Sequence, residues 1–131
     1  MNYQILVIDD EPHMARLYSR ILKSQGQVLS AHNVSEAWGI IDEKEGSFDA
    51  ILCDLNMPRL TGADFFRGLD ERAPELKPKV IFLTGGIFEE DMHQFIQSVD
   101  NPLLQKPFDI DELIQLIQQT VSHAQAPPTA Q

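Results

Sequence analysis

Residues 3–12 read YQILVIDDEP. The apolar run ILVI has the length of a strand. Its lack of alternation marks a strand buried on both faces, as in a parallel sheet. Pro12 suits the first turn of a helix, with Asp10 or Glu11 near that helix's positive end. Met14, Leu17, Tyr18, Ile21 and Leu22 follow at helical spacing and predict its inner face, while Arg16, Ser19, Arg20 and Lys23 take the outer one. Gly26 reads as the helix stop. The turn between strand and helix holds two adjacent carboxylates, Asp9 and Asp10. Like charges placed together call for a compensating cation.

Outward from this unit the alternation continues. QVLSAH (27–32) predicts a weaker second strand, and NVSE predicts a capping box between Asn33 and Glu36. Val34, Ala37, Trp38 and Ile41 mark a second helix closing near Gly46. A third buried strand spans 49–53 and ends at Asp54. Thr61 and Asp64 open a third helix with Phe65, Phe66 and Leu69 inward, and Pro74 and Pro78 break it. KVIFLTGG (79–86) is the fourth strand, and Met92, Phe95, Ile96 and Val99 mark the fourth helix. PLLQKPF (102–108) is a short fifth strand, followed by a helix carrying Ile110, Leu113, Ile114, Ile117 and Val121. Residues 125–131 read as a tail or linker remnant after a domain over 1–124. The order is (βα)5, an α/β fold with a parallel sheet covered on both faces and right-handed crossovers.

Bulk properties narrow the function. Ten Lys and Arg stand against twenty Asp and Glu, a net charge of −10. That argues against nucleic-acid binding, where a basic face should supply the affinity, and against an anionic membrane surface. No apolar run approaches the roughly 18 residues of a spanning helix. The N-terminus lacks the features of a secretory signal. The single cysteine, Cys53, permits no internal disulfide and lies inside an apolar strand, so it reads as core. A cytoplasmic location follows as the simplest reading. His13, His32, His93 and His123 show no metal-ligand spacing and read as surface or boundary residues. Trp38 reads as core, and Leu116 lies off the inner stripe of the fifth helix.

Doubly wound sheets bind ligands at the carboxyl ends of their strands. Strand 1 ends in Asp9 and Asp10, strand 3 in Asp54 with Asn56 beyond, strand 4 in Thr84 and strand 5 in Lys106. Three carboxylates, a hydroxyl and an ammonium should therefore share one edge. Crowded hard oxygens favour Mg2+. Thr84 and Lys106 suit a small oxyanion touching the same metal.

VIDDEP, DLNMPRLTG, FLTGG and LQKPF occur in this order and at these spacings. Over residues 3–124 the chain thereby resembles the receiver domain of two-component response regulators. The segment 83–109 looks especially like receivers at the C-terminus of hybrid histidine kinases. The resemblance implies a flavodoxin-like (CheY-like) doubly wound five-stranded sheet in the order 2-1-3-4-5. It implies that Asp54 accepts a phosphoryl group from the phosphohistidine of a histidine kinase or histidine phosphotransfer domain, and that this changes partner interactions. It implies Mg2+ (or Mn2+) held by Asp9, Asp10, Asp54 and the backbone carbonyl of Asn56, with Asp10 binding directly and Asp9 largely through water. Thr84 would hydrogen-bond the phosphoryl group, Lys106 would pair with it, and the Lys106–Pro107 bond would be cis. The partner would dock on the outer face of the first helix, at His13, Arg16, Ser19 and Arg20. Weak self-association through helix 4, strand 5 and helix 5 falls within the same resemblance. Such a domain is not an enzyme beyond its own phosphorylation and dephosphorylation.

The chain also departs from the family pattern. Leu103 stands where a Tyr or Phe is usual, and Gly85 and Gly86 follow the threonine. Switching is then expected as backbone motion of 85–91 rather than through an aromatic on strand 5. Three rival functions remain to be weighed. An aspartyl-phosphate phosphatase of the haloacid dehalogenase type needs an aspartate two residues after the nucleophile, where this chain has Asn56. A flavodoxin needs a phosphate cradle where this chain has acid. A degenerate receiver serving only as a binding module would be expected to have lost chemical positions, yet all are present.

Overall fold

The computed structural model describes residues 2–85 and 90–125. Five strands and five α-helices alternate: β1 (Tyr3–Ile8), α1 (Pro12–Ile21), β2 (Gly26–Ala31), α2 (Val34–Glu43), β3 (Ala50–Asp54), α3 (Gly62–Arg72), β4 (Val80–Thr84), α4 (Glu90–Gln97), β5 (Leu103–Gln105) and α5 (Ile110–Gln125). All neighbouring strands pair in parallel, in the order β2-β1-β3-β4-β5. This is the flavodoxin-like topology, with β1 and β3 side by side at its centre.

The apolar runs of the central strands are unbroken because each face of the sheet has its own core. Leu6, Ile8, Ile51, Cys53 and Phe82 point into one cluster, with Ala37, Phe65, Leu69 and Phe95 from α2, α3 and α4. Ile5, Val7, Leu52, Ile81 and Leu83 point into the other, with Tyr18 and Leu22 from α1 and Leu113 and Ile117 from α5. Strand side chains alternate between faces, so one strand feeds both clusters. Shortening a side chain such as Leu52, which is wholly buried, should cost about 2–5 kcal/mol.

Local signals explain most boundaries. Pro12 opens α1. Thr61 and Asp64 form a complete capping box at α3: Thr61 Oγ1 accepts from the Asp64 N–H at 3.2 Å, and Asp64 Oδ2 accepts from the Thr61 N–H at 2.8 Å. Gly62 must be glycine, because a Cβ there would lie 2.7 Å from the Asp54 carbonyl oxygen. That close approach seats α3 directly behind the end of β3.

The structure corrects several sequence expectations. Leu17 is 42% exposed and Ile110 is 45% exposed, so neither joins the inner stripe of its helix. Each lies one step off the row that faces the sheet. Gly26 does not stop α1, whose last residue is Ile21; it begins β2, where a Cβ would collide with the backbone of Tyr3. At α2 only half of the capping box forms. Asn33 Oδ1 accepts from the Glu36 N–H at 2.8 Å, but the Glu36 carboxylate turns to the His32 backbone N–H and ring, both at 3.1 Å. Pro74 and Pro78 do more than break α3: they lie in a 3-10 turn over Pro74–Lys79 that leads into β4. Leu116 is partly buried against the α1–α5 cluster, and Trp38 is partly buried, stacked on Phe65. Gly86 and most of the 85–91 segment lie outside the described residues, as does the tail beyond Gln125.

Candidate functional site

Strand parity brings the site together. Asp9 follows Val7 by two residues, Asp54 follows Leu52, and Lys106 follows Leu104, and all three leucine or valine positions face the α1–α5 core. The charged residues therefore continue that face past the carboxyl edge of the sheet. Thr84 follows Phe82, which faces the opposite core, and it approaches the edge from the other side.

Asp9, Asp10 and Asp54 each place a carboxylate oxygen within 4.8 Å of the others. Asp9 and Asp54 are buried, at 2% and 3% exposure, and Asp10 is half-buried. Lys106 Nζ donates to Asp9 Oδ2 and to Asp54 Oδ2, both at 3.2 Å. The second oxygens are also held: Asp9 Oδ1 accepts from the Glu11 N–H at 3.0 Å, and Asp54 Oδ1 from the Asn56 N–H at 2.8 Å. These backbone donors fix the carboxylates at the two turns and leave the ammonium as the movable partner. Burial pulls the Lys106 ammonium toward losing its proton, but Asp54 and Asp9, by charge and by hydrogen bond, outweigh burial. The group titrates above the usual lysine value.

Thr84 Oγ1 donates to Asn56 Oδ1 at 2.9 Å, and the Gly85 N–H reaches the same oxygen at 3.3 Å. The Asn56 side chain thus ties β4 to the loop after β3. The Lys106 N–H donates to the Thr84 carbonyl at 2.7 Å, and the Lys106–Pro107 bond is cis, as the family resemblance implies. Cys53 is fully buried next to Asp54; burial, then the Asp54 and Asp9 charges, push its thiol far up, so it stays protonated. On the outer face of α1, His13, Arg16, Ser19 and Arg20 are all exposed.

The arrangement has three carboxylates and one cation. Lys106 offsets one negative charge, and the remaining excess suits a hard divalent ion bound by oxygen. The carboxylate cluster of Asp9, Asp10 and Asp54 is a donor set of the kind that fits Mg2+. The Lys106 ammonium, a strongly hydrated point charge on a long stem, can exchange a carboxylate for a more charged oxyanion.

One nearby residue escaped the sequence reading as more than core. Tyr18 on α1 is wholly buried and stacks on Phe108, with ring centroids 6.2 Å apart. Burial pushes its phenol far up, and the Asp9, Asp54 and Glu11 charges add to that. A phenol on an inner stripe directly after an acidic turn was the available signal.

Comparison with known proteins agrees with this geometry. The response regulator receiver domain family matches residues 5–118. Response regulator Rre1 of a Synechocystis species is 31% identical over 124 residues, covering 93% of this chain and 53% of that protein. An uncharacterized 14.6 kDa protein of Leptolyngbya boryana is 31% identical over 116 residues, covering 88% of this chain and 87% of that one. The chain thus spans about half the length of Rre1, and 24% of the length of the hydrogenase transcriptional regulatory protein HoxA of Cupriavidus necator. Among solved structures, a response regulator receiver domain protein from Clostridium thermocellum superposes with a TM-score of 0.81 at 28% identity, over 92% of this chain and 95% of that one. With the sheet order, the acidic edge and the lysine after β5 all in agreement, the chain belongs to the response regulator receiver domain family.

Proposed function

We propose that the chain is the phosphoacceptor of a two-component phosphorelay, with Asp54 as the residue modified. One observation carries this reading: Lys106 Nζ bridges Asp9 and Asp54 at 3.2 Å while three carboxylate oxygens crowd within 4.8 Å. Charge is concentrated at Asp54 with its counter-charge in place.

A carboxylate is a weak nucleophile, and positioning supplies most of the help in phosphoryl transfer. Asp54 Oδ forms the new O–P bond, the N–P bond to the partner's imidazole breaks, and the electron pair returns to that ring. The Asn56 N–H keeps the Asp54 carboxylate in place during attack. Lys106 then turns to the arriving phosphoryl oxygens, and Thr84 gives up Asn56 for the same group. Asp9, Asp10, Asp54 and the Asn56 carbonyl would hold Mg2+, which would supply positive charge to the transferring group.

The donor is a histidine kinase or histidine phosphotransfer domain. It docks on α1 at His13, Arg16, Ser19 and Arg20, which are exposed beside the site. The functional domain is 1–124, it works in the cytoplasm, and α4, β5 and α5 form its self-association face. No helix among the described residues is long and apolar enough to cross a membrane. The test is intact-mass measurement after incubation with Mg2+ and a small phosphodonor. Wild type should gain one phosphoryl group and Asp54→Asn none. No gain in wild type would favour the binding-module reading.

A further inference from the structure

Two donors from the end of β4 converge on one side-chain oxygen. Thr84 Oγ1 donates to Asn56 Oδ1 at 2.9 Å, and the Gly85 N–H reaches the same atom at 3.3 Å. A backbone N–H can only donate, so the atom facing Gly85 is the carboxamide oxygen, and the Thr84 hydroxyl must donate to it. Both ends of this tie lead back to Asp54. The Asn56 N–H donates to Asp54 Oδ1 at 2.8 Å. The Lys106 N–H donates to the Thr84 carbonyl at 2.7 Å, while Lys106 Nζ donates to Asp54 Oδ2 at 3.2 Å.

Burial is unequal across the tie. Thr84 is 2% exposed, and a buried hydroxyl keeps an acceptor in any stable state. Asn56 is exposed, so its oxygen can turn to water at little cost. The pair therefore opens on the Asn56 side. Among the described residues nothing lies within 4 Å of a Cβ placed on Gly85, so the strand end has room to move.

The carboxamide oxygen is a neutral acceptor. A phosphoryl group on Asp54 would offer a charged one, and hydrogen bonds to charged acceptors are roughly twice as strong. The Thr84 hydroxyl has one hydrogen to donate, so Asn56 and the phosphoryl group compete for it.

We propose that the Asn56 side-chain oxygen is a latch, a stand-in for a phosphoryl oxygen that holds Thr84 and Gly85 in the resting state and is displaced when Asp54 is loaded. Asn56 is thus a positioning residue that acts through Thr84. The inference rests on the reading of Asp54 as phosphoacceptor and deepens it. The latch lowers the free energy of the resting state alone, so it opposes loading.

Asn56→Ala removes the latch and keeps the backbone N–H and carbonyl at that position. All measurements use saturating Mg2+, with beryllofluoride as the phosphoryl mimic. Without the mimic, the variant should melt below wild type. Its affinity for the mimic should rise about fivefold, equivalent to about 1 kcal/mol. At one saturating mimic concentration the two melting temperatures should agree, because the latch is open in both. The opposite signs separate a latch from a structural tie, whose removal costs both states alike and leaves affinity unchanged. A double-mutant cycle tests the route: in a Thr84→Ala background, Asn56→Ala should raise mimic affinity by less than about twofold. Unchanged or lower affinity in Asn56→Ala would overturn the proposal, as would a rise that persists in full without the Thr84 hydroxyl. Should wild type bind no mimic and take up no phosphoryl group, the reading of Asp54 falls and this inference with it; loading of wild type with unchanged affinity in Asn56→Ala removes the inference alone.

Discussion

Asp10→Asn should stabilise the metal-free protein and weaken its response to Mg2+. The carboxylate oxygens of Asp9, Asp10 and Asp54 lie within 4.8 Å of one another. At that separation two unit charges repel by about 0.9 kcal/mol in bulk water and about 3.5 kcal/mol at an effective dielectric constant near 20. Asp10 is half-buried and faces two such neighbours, and Lys106 already offsets part of their charge. A net relief of about 1–2 kcal/mol is the expected result. For a chain of this length that raises the melting temperature by roughly 3–10 °C. Mg2+ reverses the order: wild type gains about 2.7 kcal/mol at a metal concentration 100 times its dissociation constant, whereas the variant has lost one anionic ligand and gains less. Thermal unfolding in EDTA and across a Mg2+ titration, at low salt, reads both effects. A variant that melts below wild type in EDTA and gains as much from Mg2+ would refute both the repulsion and the ligand role.

Thr61→Ala removes one arm of the α3 capping box and should cost about 1 kcal/mol, up to about 2, read as a shift in denaturant midpoint. Reversing the charges of Arg16 and Arg20, both exposed on α1, should slow phosphoryl transfer from the partner kinase but not from a small phosphodonor; equal slowing of both would mark structural damage. Hydrogen bonds from the His32 ring and backbone hold Glu36 below its ordinary value. Its folded value is depressed, so its contribution is present above the unfolded value and lost as pH falls through the folded one. Glu36→Gln should remove that acid-side slope, with an effect of about 0.3–0.5 kcal/mol because the pair is exposed; a pH series of unfolding midpoints measures it.

The fold was legible where a signal was strong and local. The uninterrupted runs ILVI, AILC and VIFL could only be strands with two covered faces, and β1, β3 and β4 are the strands that connect the two cores. Thr61 and Asp64 marked the start of α3 correctly because both arms of the box are built from side chains three residues apart in sequence. The same logic overreached at Asn33, since Glu36 had a nearer competitor in His32, which a spacing rule does not weigh. Leu17 and Ile110 show a different limit. Periodicity names an apolar stripe, but its width is set by how closely the helix sits on the sheet, and both residues fall past that edge.

The site was legible for a geometric reason. Strand ends and period-two alternation bring Asp9, Asp54 and Lys106 to one spot without knowledge of any loop. Hydrogen bonding was not legible in the same way. The pairing of Thr84 with Asn56 depends on the loop after β3, and the Tyr18 phenol, without a partner among the described residues, sits on a ring packed against Phe108 far away in sequence. Residues that act through buried polar atoms are hidden among the core positions in sequence.

Borohydride trapping followed by peptide sequencing locates an acyl phosphate by reducing the modified aspartate to homoserine. After incubation with Mg2+ and a small phosphodonor, homoserine should appear at position 54 and at no other acidic residue. Homoserine at Asp9 or Asp10, or none in a folded protein saturated with Mg2+, would contradict the assignment of Asp54 as the phosphoacceptor.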